Sequence, residues 1–373
     1  MNYFSVPADF NRETIDNICI LNSKNKYNKV SEVYGQATEG LSFLFSGRTE
    51  RSIPPISLSD LENYILCLDN KGIKFNYTLN PSCSGNYEFS KEGIQNILSI
   101  LKDLNNIGVH SLTLASPSLI EIVNYSEYKF EIKTSAICEV TSPRKALFYK
   151  NMGASRVVID PDITRDFDKI SNICSEFGDG IEIIINNNCL RNCSYKMFHY
   201  NHDAHCLKSN DSQDILDYYN NRCSLQKAKD ISSYMRMNWI RPEDIAYYKN
   251  CGISHYKIQG RQNVLKGNLL KTLEAYFSGS FDGNLCDLIM LFAPYNSFYP
   301  YIDNKALNGF IEKFYANKDF CKEKCSKCNY CYSAALRCMN IEKTEQLYNK
   351  ALTFYKKFDL FDITLKNKYK LDK

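Results

Sequence analysis

Short apolar runs alternate along the chain with longer segments in which apolar residues recur every three or four positions. Residues 181–185 carry four isoleucines, a β-branched run typical of a strand that is buried on both faces. Residues 58–71 are apolar at positions 58, 61, 65, 66 and 68, which is helical spacing. Ser57 or Ser59 can cap the start of this helix, and Gly72 can end it. The pattern therefore predicts strands and helices in alternation.

The alternation continues from the N-terminus to about residue 278. The predicted strands cover residues 4–8, 32–35, 73–79, 109–115, 130–136, 156–160, 181–186 and 254–259, and residues 41–45 fit a further short strand. The predicted helices cover residues 58–71, 91–106, 117–124, 143–151, 163–177, 242–250 and 264–277. Strands and helices that alternate with short connections form a parallel sheet. Roughly eight strand–helix units fit here, and about 250 residues is the usual size of a (β/α)8 barrel.

We therefore expect an α/β fold, a TIM-like (β/α)8 barrel over residues 1–280. A small cysteine-rich and mainly helical C-terminal extension follows over residues 281–373. The longest departure from the alternation, residues 189–235, is expected to be a functional insertion in the barrel. A doubly wound open sheet is the alternative, but no glycine-rich dinucleotide fingerprint follows the first strand.

Active sites of such barrels lie at the carboxyl ends of the strands. The side chains that this arrangement collects on one face are Glu32, Tyr34, Asn80, Cys83, Ser116, Asp160, Asn186, Cys189, Cys193 and Arg261. Residues 186–188 are three asparagines, which favour a turn at the end of their strand. Two separate strand ends thus deliver cysteine to one surface, and the insertion belongs to the same face.

The composition bounds the class of protein. The chain has 373 residues, 44% of them hydrophobic, so it can bury one large domain with an appendage, or two domains. Its 46 basic and 42 acidic residues give a net charge of +4, which neither demands nor excludes a nucleic-acid partner. No run of eighteen apolar residues occurs, so no transmembrane helix and no membrane partner are expected. The N-terminal residues lack the features of a signal peptide, which indicates a cytoplasmic protein.

Sixteen cysteines are many for a cytoplasmic chain, and in a reducing compartment they would not form disulfides. Cys67, Cys138, Cys174 and Cys286 lie in apolar-patterned segments, and we interpret them as inert packing residues. Several others stand at spacings that suit metal ligands. They form two constellations, one in the C-terminal extension and one around the insertion.

The C-terminal constellation has the spacing C-x3-C-x2-C-x2-C and consists of Cys321, Cys325, Cys328 and Cys331. Four thiolates in such a loop can hold a tetrahedral zinc ion or an iron–sulfur cluster. Zinc ribbons usually separate their two cysteine pairs, whereas compact runs are more typical of 4Fe–4S clusters. We therefore predict a metal centre here, with a 4Fe–4S cluster favoured and zinc as the alternative. Four unligated surface thiols would be prone to oxidation.

The central constellation comprises Cys189, Cys193, Cys206 and Cys223, and Cys83 is a candidate partner from a neighbouring strand end. No local run fixes four ligands here. The prediction depends instead on convergence at the carboxyl ends of the barrel strands. Cys206 and Cys223 can each equally be interpreted as ordinary buried cysteines.

His199, His202 and His205 stand at helical spacing and are catalytic candidates. Three histidines on one face can bind a catalytic zinc ion. A polar loop that covers the site is the favoured alternative. No serine–histidine–acid arrangement and no H-E-x-x-H motif can be identified, so nothing supports classical proteolysis.

Arg261 follows the last predicted strand and precedes a helix. In barrels this position often binds phosphate or carboxylate groups through arginine and helix N-termini, so Arg261 is a further candidate. A surface salt bridge is an equal alternative. Arg48 is a second candidate for anion binding.

Three ordered blocks of the chain resemble one known family. The first is E-I-I-I at residues 182–185 with the cysteine loop behind it, and the second is I-R-P-E-D-I at residues 240–245. The third runs from G-I at residue 252 to K-I-Q-G-R at residues 257–261. This pattern, which covers most of the chain to about residue 280, is similar to that of the collagenase-like peptidase family, catalogued as U-thirty-two. The resemblance implies a (β/α)8-type barrel.

The resemblance also implies chemistry. Members were named as peptidases, and others resemble iron–sulfur proteins of oxygen-independent hydroxylation, acting on tRNA or ribosomal RNA bases or on the ubiquinone ring, with prephenate as an oxygen donor. In those members four cysteines hold a 4Fe–4S cluster. By position, Cys189, Cys193 (or Cys206) and Cys223 match the central cysteines, and Cys83 matches an early ligand of some members.

This chain departs from the family pattern in three ways. Its central pair has three intervening residues, fewer than in most members, and Ile245 stands where a late cysteine often occurs. The run at residues 321–331 is an addition. These differences suggest a divergent subfamily with a second cluster.

We therefore hypothesise an iron–sulfur barrel enzyme with one cluster at the strand ends, held by Cys83, Cys189, Cys193 and Cys223, and a second in the C-terminal loop. It would carry out a redox modification of an RNA, peptide or small anionic substrate, with an electron donor or partner subunit. The rivals are a metal-dependent or collagenase-like peptidase, and a non-enzymatic, metal-stabilised scaffold that binds RNA or a protein partner.

Overall fold

Eight parallel strands close into a barrel, which confirms the predicted TIM-like (β/α)8 fold. The structure is a computed structural model, and it describes residues 1–39, 55–206, 218–289 and 299–357. Its strands are β1 (Asn2–Pro7), β2 (Asn28–Gly35), β3 (Lys74–Leu79), β4 (Ser111–Leu114), β5 (Glu131–Thr134), β6 (Ala154–Val158), β7 (Ile181–Ile184), β8 (Asn186–Leu190), β9 (Met237–Trp239) and β10 (His255–Lys257). β1 to β7 follow one another around the barrel, and β10 closes it between β7 and β1. The expected strand at residues 41–45 lies outside the described residues.

Helices follow the barrel strands and pack outside them. They are α1 (Arg12–Lys24), α2 (Leu58–Asp69), α3 (Lys91–Asn106), α4 (Pro117–Tyr125), α5 (Pro143–Asn151), α6 (Phe167–Phe177), α7 (Lys196–Cys206), α8 (Tyr218–Lys229), α9 (Ser232–Met235), α10 (Ile245–Asn250), α11 (Leu269–Ser278), α12 (Cys286–Ile289), α13 (Glu312–Ala316), α14 (Tyr330–Cys338) and α15 (Ile341–Lys357). None of the described helices is long and apolar enough to cross a membrane.

Local sequence explains where several helices begin. Ser57 caps α2, since its side chain accepts from the backbone of Asp60 and the carboxylate of Asp60 accepts in return, which is a capping box. α6 begins at Phe167 rather than at residue 163 as predicted, because a single 3₁₀ turn precedes it and the side chain of Asp166 accepts from Lys169 N. The sequence pattern did not predict α1, Arg12–Lys24.

The three asparagines after β7 do not form the predicted turn. They begin β8, which pairs antiparallel with β9. Asn186 explains this, because its side chain donates to Gln259 O and accepts from Gln259 N, both at 2.8 Å. The Asn186 side chain thus makes the hydrogen bonds that backbone groups would otherwise make between the ends of β7 and β10. The chain can then continue in an extended conformation into β8.

The C-terminal extension packs against the insertion. α15 contacts α8, and α14 contacts α9. The ring of Trp239 on β9 lies 5.6 Å from that of Phe310, between centroids. The insertion and the β9 strand that follows it therefore both contact the C-terminal extension.

The interior of the barrel is charged. TIM barrels usually fill their centre with branched apolar side chains. Here Lys133 on β5 pairs with Glu32 on β2 and with Glu182 on β7, the latter at 2.8 Å, and all three side chains are buried. Arg156 Nη1 on β6 lies 3.3 Å from Glu32 Oε2. Burial by itself would raise the pKa of Glu182, but Lys133, Lys257 and Arg156 lower it to about 2.

The apolar side chains of the strands face outward against the helices, as the alternation of strand residues requires. Phe4 lies 5.1 Å from Phe277 of α11, between ring centroids, and Ile183 and Tyr256 are fully buried. The hydrophobic core is therefore the layer between strands and helices, and the ion pairs fill the space inside.

Removal of Lys133 is expected to destabilise the fold strongly. Lys133→Met would remove the closest cation of the buried Glu32 and Glu182 and leave them the longer contacts to Arg156, at 3.3 Å and 3.8 Å. Removal of one partner of a buried pair costs about 3–5 kcal/mol. The exposed pair of Lys74 and Glu131, with a 2.9 Å separation, is a matched control, because such pairs contribute at most about 1 kcal/mol. Urea unfolding of Lys133→Met and Lys74→Met measures both. Equal losses would mean that the interior network contributes no more than a surface pair.

Candidate functional site

A polar site lies between the carboxyl ends of β2 and β10, which flank β1. We call it the β2/β10 site; it consists of Tyr34, Gln36, Lys257 and Arg261. Lys257 Nζ lies 3.5 Å from the centre of the Tyr34 ring, and Tyr34 Oη donates to Ile258 O at 2.7 Å. Arg261 Nη1 donates to Gln36 Oε1 at 3.1 Å. Because Arg261 is only 4% exposed, it belongs to this buried site and not to the protein surface.

Lys257 was not among the candidates from the sequence. The sequence pattern could have identified it, since the alternation of residues 256–259 places Lys257 and Gln259 on the same face of the last strand. Burial, reinforced by the charge of Lys133, lowers the pKa of Lys257 to about 8, although Glu182 opposes this. The nearest paired carboxylate oxygen, Glu182 Oε1, is 3.9 Å away. Lys257 is therefore a buried amine that can titrate near neutral pH.

Asp160, predicted at this end of the barrel, is neutralised by the insertion. Lys196 at the start of α7 places Nζ 2.6 Å from Asp160 Oδ2 and 2.8 Å from Asp162 Oδ2. Asn238 Nδ2 on β9 donates to Asp162 Oδ1 at 2.7 Å. These bonds fix the insertion over the end of β6.

The central cysteines are partly brought together. Cys189 lies on β8, Cys193 follows it, and Cys223 lies on α8. Burial raises the pKa of Cys193, and the nearby thiol of Cys223 raises it further. Cys83 lies in the loop after β3, where its sulfur accepts from Gly85 N at 3.4 Å. The side chain of Cys206 is outside the described part of the structure.

The C-terminal cysteine loop, residues 321–331, lies against the central loop. Arg191, between the two central cysteines of that loop, donates from Nη1 to Cys321 Sγ at 3.8 Å, and its Nε lies 3.3 Å from Glu323 Oε1. Burial raises the pKa of Cys331, and the thiols of Cys321 and Cys325 add to that increase, so the three thiols are neighbours. Across the described ranges, no three histidine, cysteine, aspartate or glutamate side chains already converge closely enough to hold a metal ion.

Arg165 is a buried cation behind this loop. Its guanidinium lies 5.1–5.2 Å from the ring centres of Trp239, Phe310 and Phe314, and Nη2 donates to Met237 O at 2.9 Å. No carboxylate pairs with it within the described ranges, and its Nε has no hydrogen-bond acceptor there. Burial lowers the pKa of Arg165, and Cys331 is the foremost group that opposes the change. Cys331, Tyr248 and Cys321 are the groups whose ionised forms would offset the charge of Arg165.

The three candidate histidines lie on α7. His199 Nε2 is 3.6 Å from Asp203 Oδ1, and its ring stacks on Tyr219 of α8 with 5.7 Å between centroids. His202 meets the edge of the same ring at 5.4 Å, and burial lowers its pKa. His205 is exposed. His199 and His202 thus join α7 to α8 through Tyr219. Arg48, the second anion-binding candidate, lies outside the described residues.

Lys257 is expected to make stability rise with pH between about 8 and about 10.4. The pKa of Lys257 is about 8 in the fold, against about 10.4 for an unfolded lysine. Within this window the unfolded chain binds a proton that the folded chain lacks, so a rise in pH favours the folded state.

Urea unfolding of the wild type and of Lys257→Met from pH 8 to pH 10 measures this effect. The difference in free energy of unfolding should grow in favour of the wild type as pH rises. Lys271→Met, which removes a half-exposed lysine paired with Asp287 at 3.2 Å, is the control and should show no such trend. A constant difference for Lys257→Met would show that the lysine titrates normally.

Comparison with known proteins places the chain in a family. Residues 30–276 match the sequence model of peptidase family U32. An uncharacterized protease of Methanocaldococcus jannaschii is 31% identical over 346 residues, which cover 91% of this chain and 98% of that protein. A U32 peptidase of known structure is 16% identical and covers 69% of this chain and 92% of its own, with a TM-score of 0.49.

A second solved structure, a monomeric form of phosphoribosylanthranilate isomerase from Thermotoga maritima, is 13% identical. It covers 49% of this chain and 75% of its own, with a TM-score of 0.32. The assignment depends on the family match and on the archaeal relative, both of which span most of the chain. The chain therefore belongs to peptidase family U32.

Proposed function

We propose that this chain is an iron–sulfur barrel enzyme that carries out a redox modification, of the oxygen-independent hydroxylation type, on an anionic substrate at the carboxyl ends of the barrel strands. The observation that carries the proposal is the buried Arg165, which pairs with no carboxylate among the described residues and whose charge is influenced by Cys331 and Cys321 of the C-terminal loop. A buried charge without a partner is costly, so a fold that keeps one needs an anion beside it.

A metal-bound set of thiolates fits this requirement. Cys321, Cys325, Cys328 and Cys331 would hold a 4Fe–4S cluster or, alternatively, a zinc ion, and four thiolates around either give a net negative centre. Arg165 would compensate this charge from the buried side. A 4Fe–4S cluster, when bound, supplies one-electron transfer. Cys325 and Cys328, the two middle cysteines of the run, are exposed, so a metal or cluster can reach the loop from solvent.

A second cluster at the strand ends is the further part of the proposal. Cys193 and Cys223 are the ligands that the structure supports best, because their thiols are neighbours. Cys189 and Cys83, with Cys206 as an alternative, would complete the set. Arg191 supports a link between the two centres, because it stands within the central loop and donates to Cys321.

The protein's own groups at the barrel end would bind and orient the substrate. Arg261 and Lys257 offer positive charge at the carboxyl ends of the strands, where barrel enzymes bind their substrates. Lys196 holds Asp160 and Asp162, so this face keeps little free negative charge. Small anions, acidic peptides and RNA phosphates are the substrate classes that such a surface favours. We also propose a cytoplasmic location, where thiolates stay reduced, and an external electron donor.

The metal content of protein purified without oxygen tests the proposal. About eight irons with matching sulfide indicate two 4Fe–4S clusters, and about four indicate one. Cys331→Ser should lose about four irons per chain, and Arg165→Leu should weaken retention of the same cluster because the thiolates lose their buried cation. Cys67→Ser, at a half-buried cysteine on α2, is the matched control and should retain all iron.

Two outcomes would contradict this function. Zinc without iron would assign the C-terminal loop a structural or hydrolytic role. Full iron content in the Cys331→Ser variant would show that the C-terminal loop does not hold the cluster.

A peptidase is the second candidate. The relative in Methanocaldococcus jannaschii is named an uncharacterized protease, and His199 is paired with Asp203 at 3.6 Å, a geometry that can orient a general base. If this function is correct, the wild type should cleave denatured collagen or casein, and His199→Ala should reduce cleavage about 10²-fold or more. His205→Ala, at an exposed histidine on the same helix, is the control. Cleavage that both variants retain equally would exclude His199.

A further inference from the structure

Two buried donors in the β2/β10 site make no hydrogen bond to any residue that the structure describes. Lys257 is 8% exposed, and its ammonium lies 3.9 Å from Glu182 Oε1, beyond hydrogen-bond distance. The ring of Tyr34 covers one side of the ammonium at 3.5 Å. A buried ammonium without a hydrogen-bonded anion is unfavourable, because burial removes the water molecules that hydrate it and no protein acceptor takes their place.

Gln36 is the second donor, and its amide orientation is determined by its neighbours. Its Oε1 accepts from Arg261 Nη1 at 3.1 Å and from Thr78 Oγ1 at 3.2 Å. The flipped amide would place its NH₂ group against the Arg261 donor, so Oε1 must face that donor. The Nε2 atom is then left fully buried, and no described residue accepts a hydrogen bond from it.

Both donors stand at the carboxyl ends of the strands that flank β1. Tyr34 and Gln36 are two residues apart on β2 and at its end, so their side chains leave the same face of the sheet. Lys257, the last residue of β10, reaches across β1 to the Tyr34 ring. Arg261 lies near enough to Lys257 to influence its charge. All four residues stand at the carboxyl ends of the strands.

We propose that the β2/β10 site binds the oxyanion group of a ligand, a carboxylate or a phosphate, which accepts hydrogen bonds from Lys257 Nζ and Gln36 Nε2. The ring of Tyr34 forms one wall, and Arg261 orients Gln36. The site refines the anionic substrate of the proposed function and rests on it for the identity of the bound molecule. Oxyanion binding itself needs no iron.

The interior charges support an anion over a neutral ligand. Lys133 and Arg156 are already paired with Glu32 and Glu182, and Lys257 is the cation of this network that no carboxylate reaches within hydrogen-bond distance among the described residues. One added negative charge would balance it. A neutral ligand could accept the hydrogen bonds but would leave the charge uncompensated.

Calorimetric titration of the purified full chain with malonate, and separately with inorganic phosphate, tests the site. Sodium chloride at matched ionic strength is the reference, because non-specific screening affects all salts alike. We expect saturable binding of at least one oxyanion, and the tighter of the two identifies the ligand class. No saturable heat with either probe would overturn the proposal.

Variants link the binding to these residues. Gln36→Leu removes the amide donor while keeping the site neutral, and it should weaken binding about tenfold, the effect of about 1.4 kcal/mol. Gln36→Glu places a carboxylate beside Arg261 and Lys257, where it takes the place of the external anion. This variant should therefore not bind the oxyanion. Its midpoint of thermal unfolding, measured without ligand, should be higher than that of the wild type. A merely structural role for Gln36 would lower the midpoint in both variants.

Controls separate this proposal from the proposed function. Lys271→Met, at an exposed lysine, should bind the oxyanion as the wild type does. Wild-type affinity in Gln36→Leu and Gln36→Glu would assign the binding to another surface and overturn the site. Iron content is measured on the same samples. Oxyanion binding by iron-free protein supports the site even if the redox function fails, and iron without oxyanion binding contradicts the site alone.

Discussion

The fold depends on a buried cation shared by two carboxylates. Lys133 joins Glu32 and Glu182 across the inside of the barrel, where most barrels place branched apolar residues. Such an arrangement makes the strands interdependent, because loss of the lysine leaves the two buried carboxylates only their longer contacts to Arg156 and Lys257. It also sets the electrostatics of the open end. Burial lowers the pKa of Lys257 to about 8, with Lys133 adding to the decrease and Glu182 opposing it.

The same requirement for charge balance connects the barrel to its C-terminal extension. Arg165 follows β6, yet its guanidinium is enclosed by rings from β9 and the extension, and Cys331 and Cys321 of the extension lie close enough to influence its charge. Arg191 makes a similar contact from the central loop. The extension is therefore joined to the barrel by arginine side chains beside the cysteines. Under the proposed function, both clusters would lie on one continuous surface that these contacts hold together.

Two surfaces at the carboxyl ends of the strands differ in charge. Over β6, Lys196 neutralises Asp160 and Asp162, so the acidic side chains are used to fix the insertion. Between β2 and β10, Gln36 Nε2 has no hydrogen-bond acceptor among the described residues, and Lys257 Nζ stays 3.9 Å from Glu182 Oε1. The acidic side is thus closed by the protein itself, and the basic side is the part that suits an external anion. This division places the proposed substrate close to β1, away from the α7 histidines.

The barrel could be predicted from the alternation of short β-branched runs and helical segments, because few other arrangements accommodate it. Four predicted helices, α2 to α5, agree with the structure within two residues at each end, whereas α6, α10 and α11 begin later than predicted. The sequence also located the cysteine constellations, because spacing is a local property. It did not determine that Asn186 would continue β7 into β8, that Lys257 would carry a lowered pKa, or that Arg165 would face Cys331. Each of these depends on partners far away in sequence. Local propensity describes what a residue can do, whereas burial and charge are decided only when distant segments meet, and only the tertiary structure brings them together.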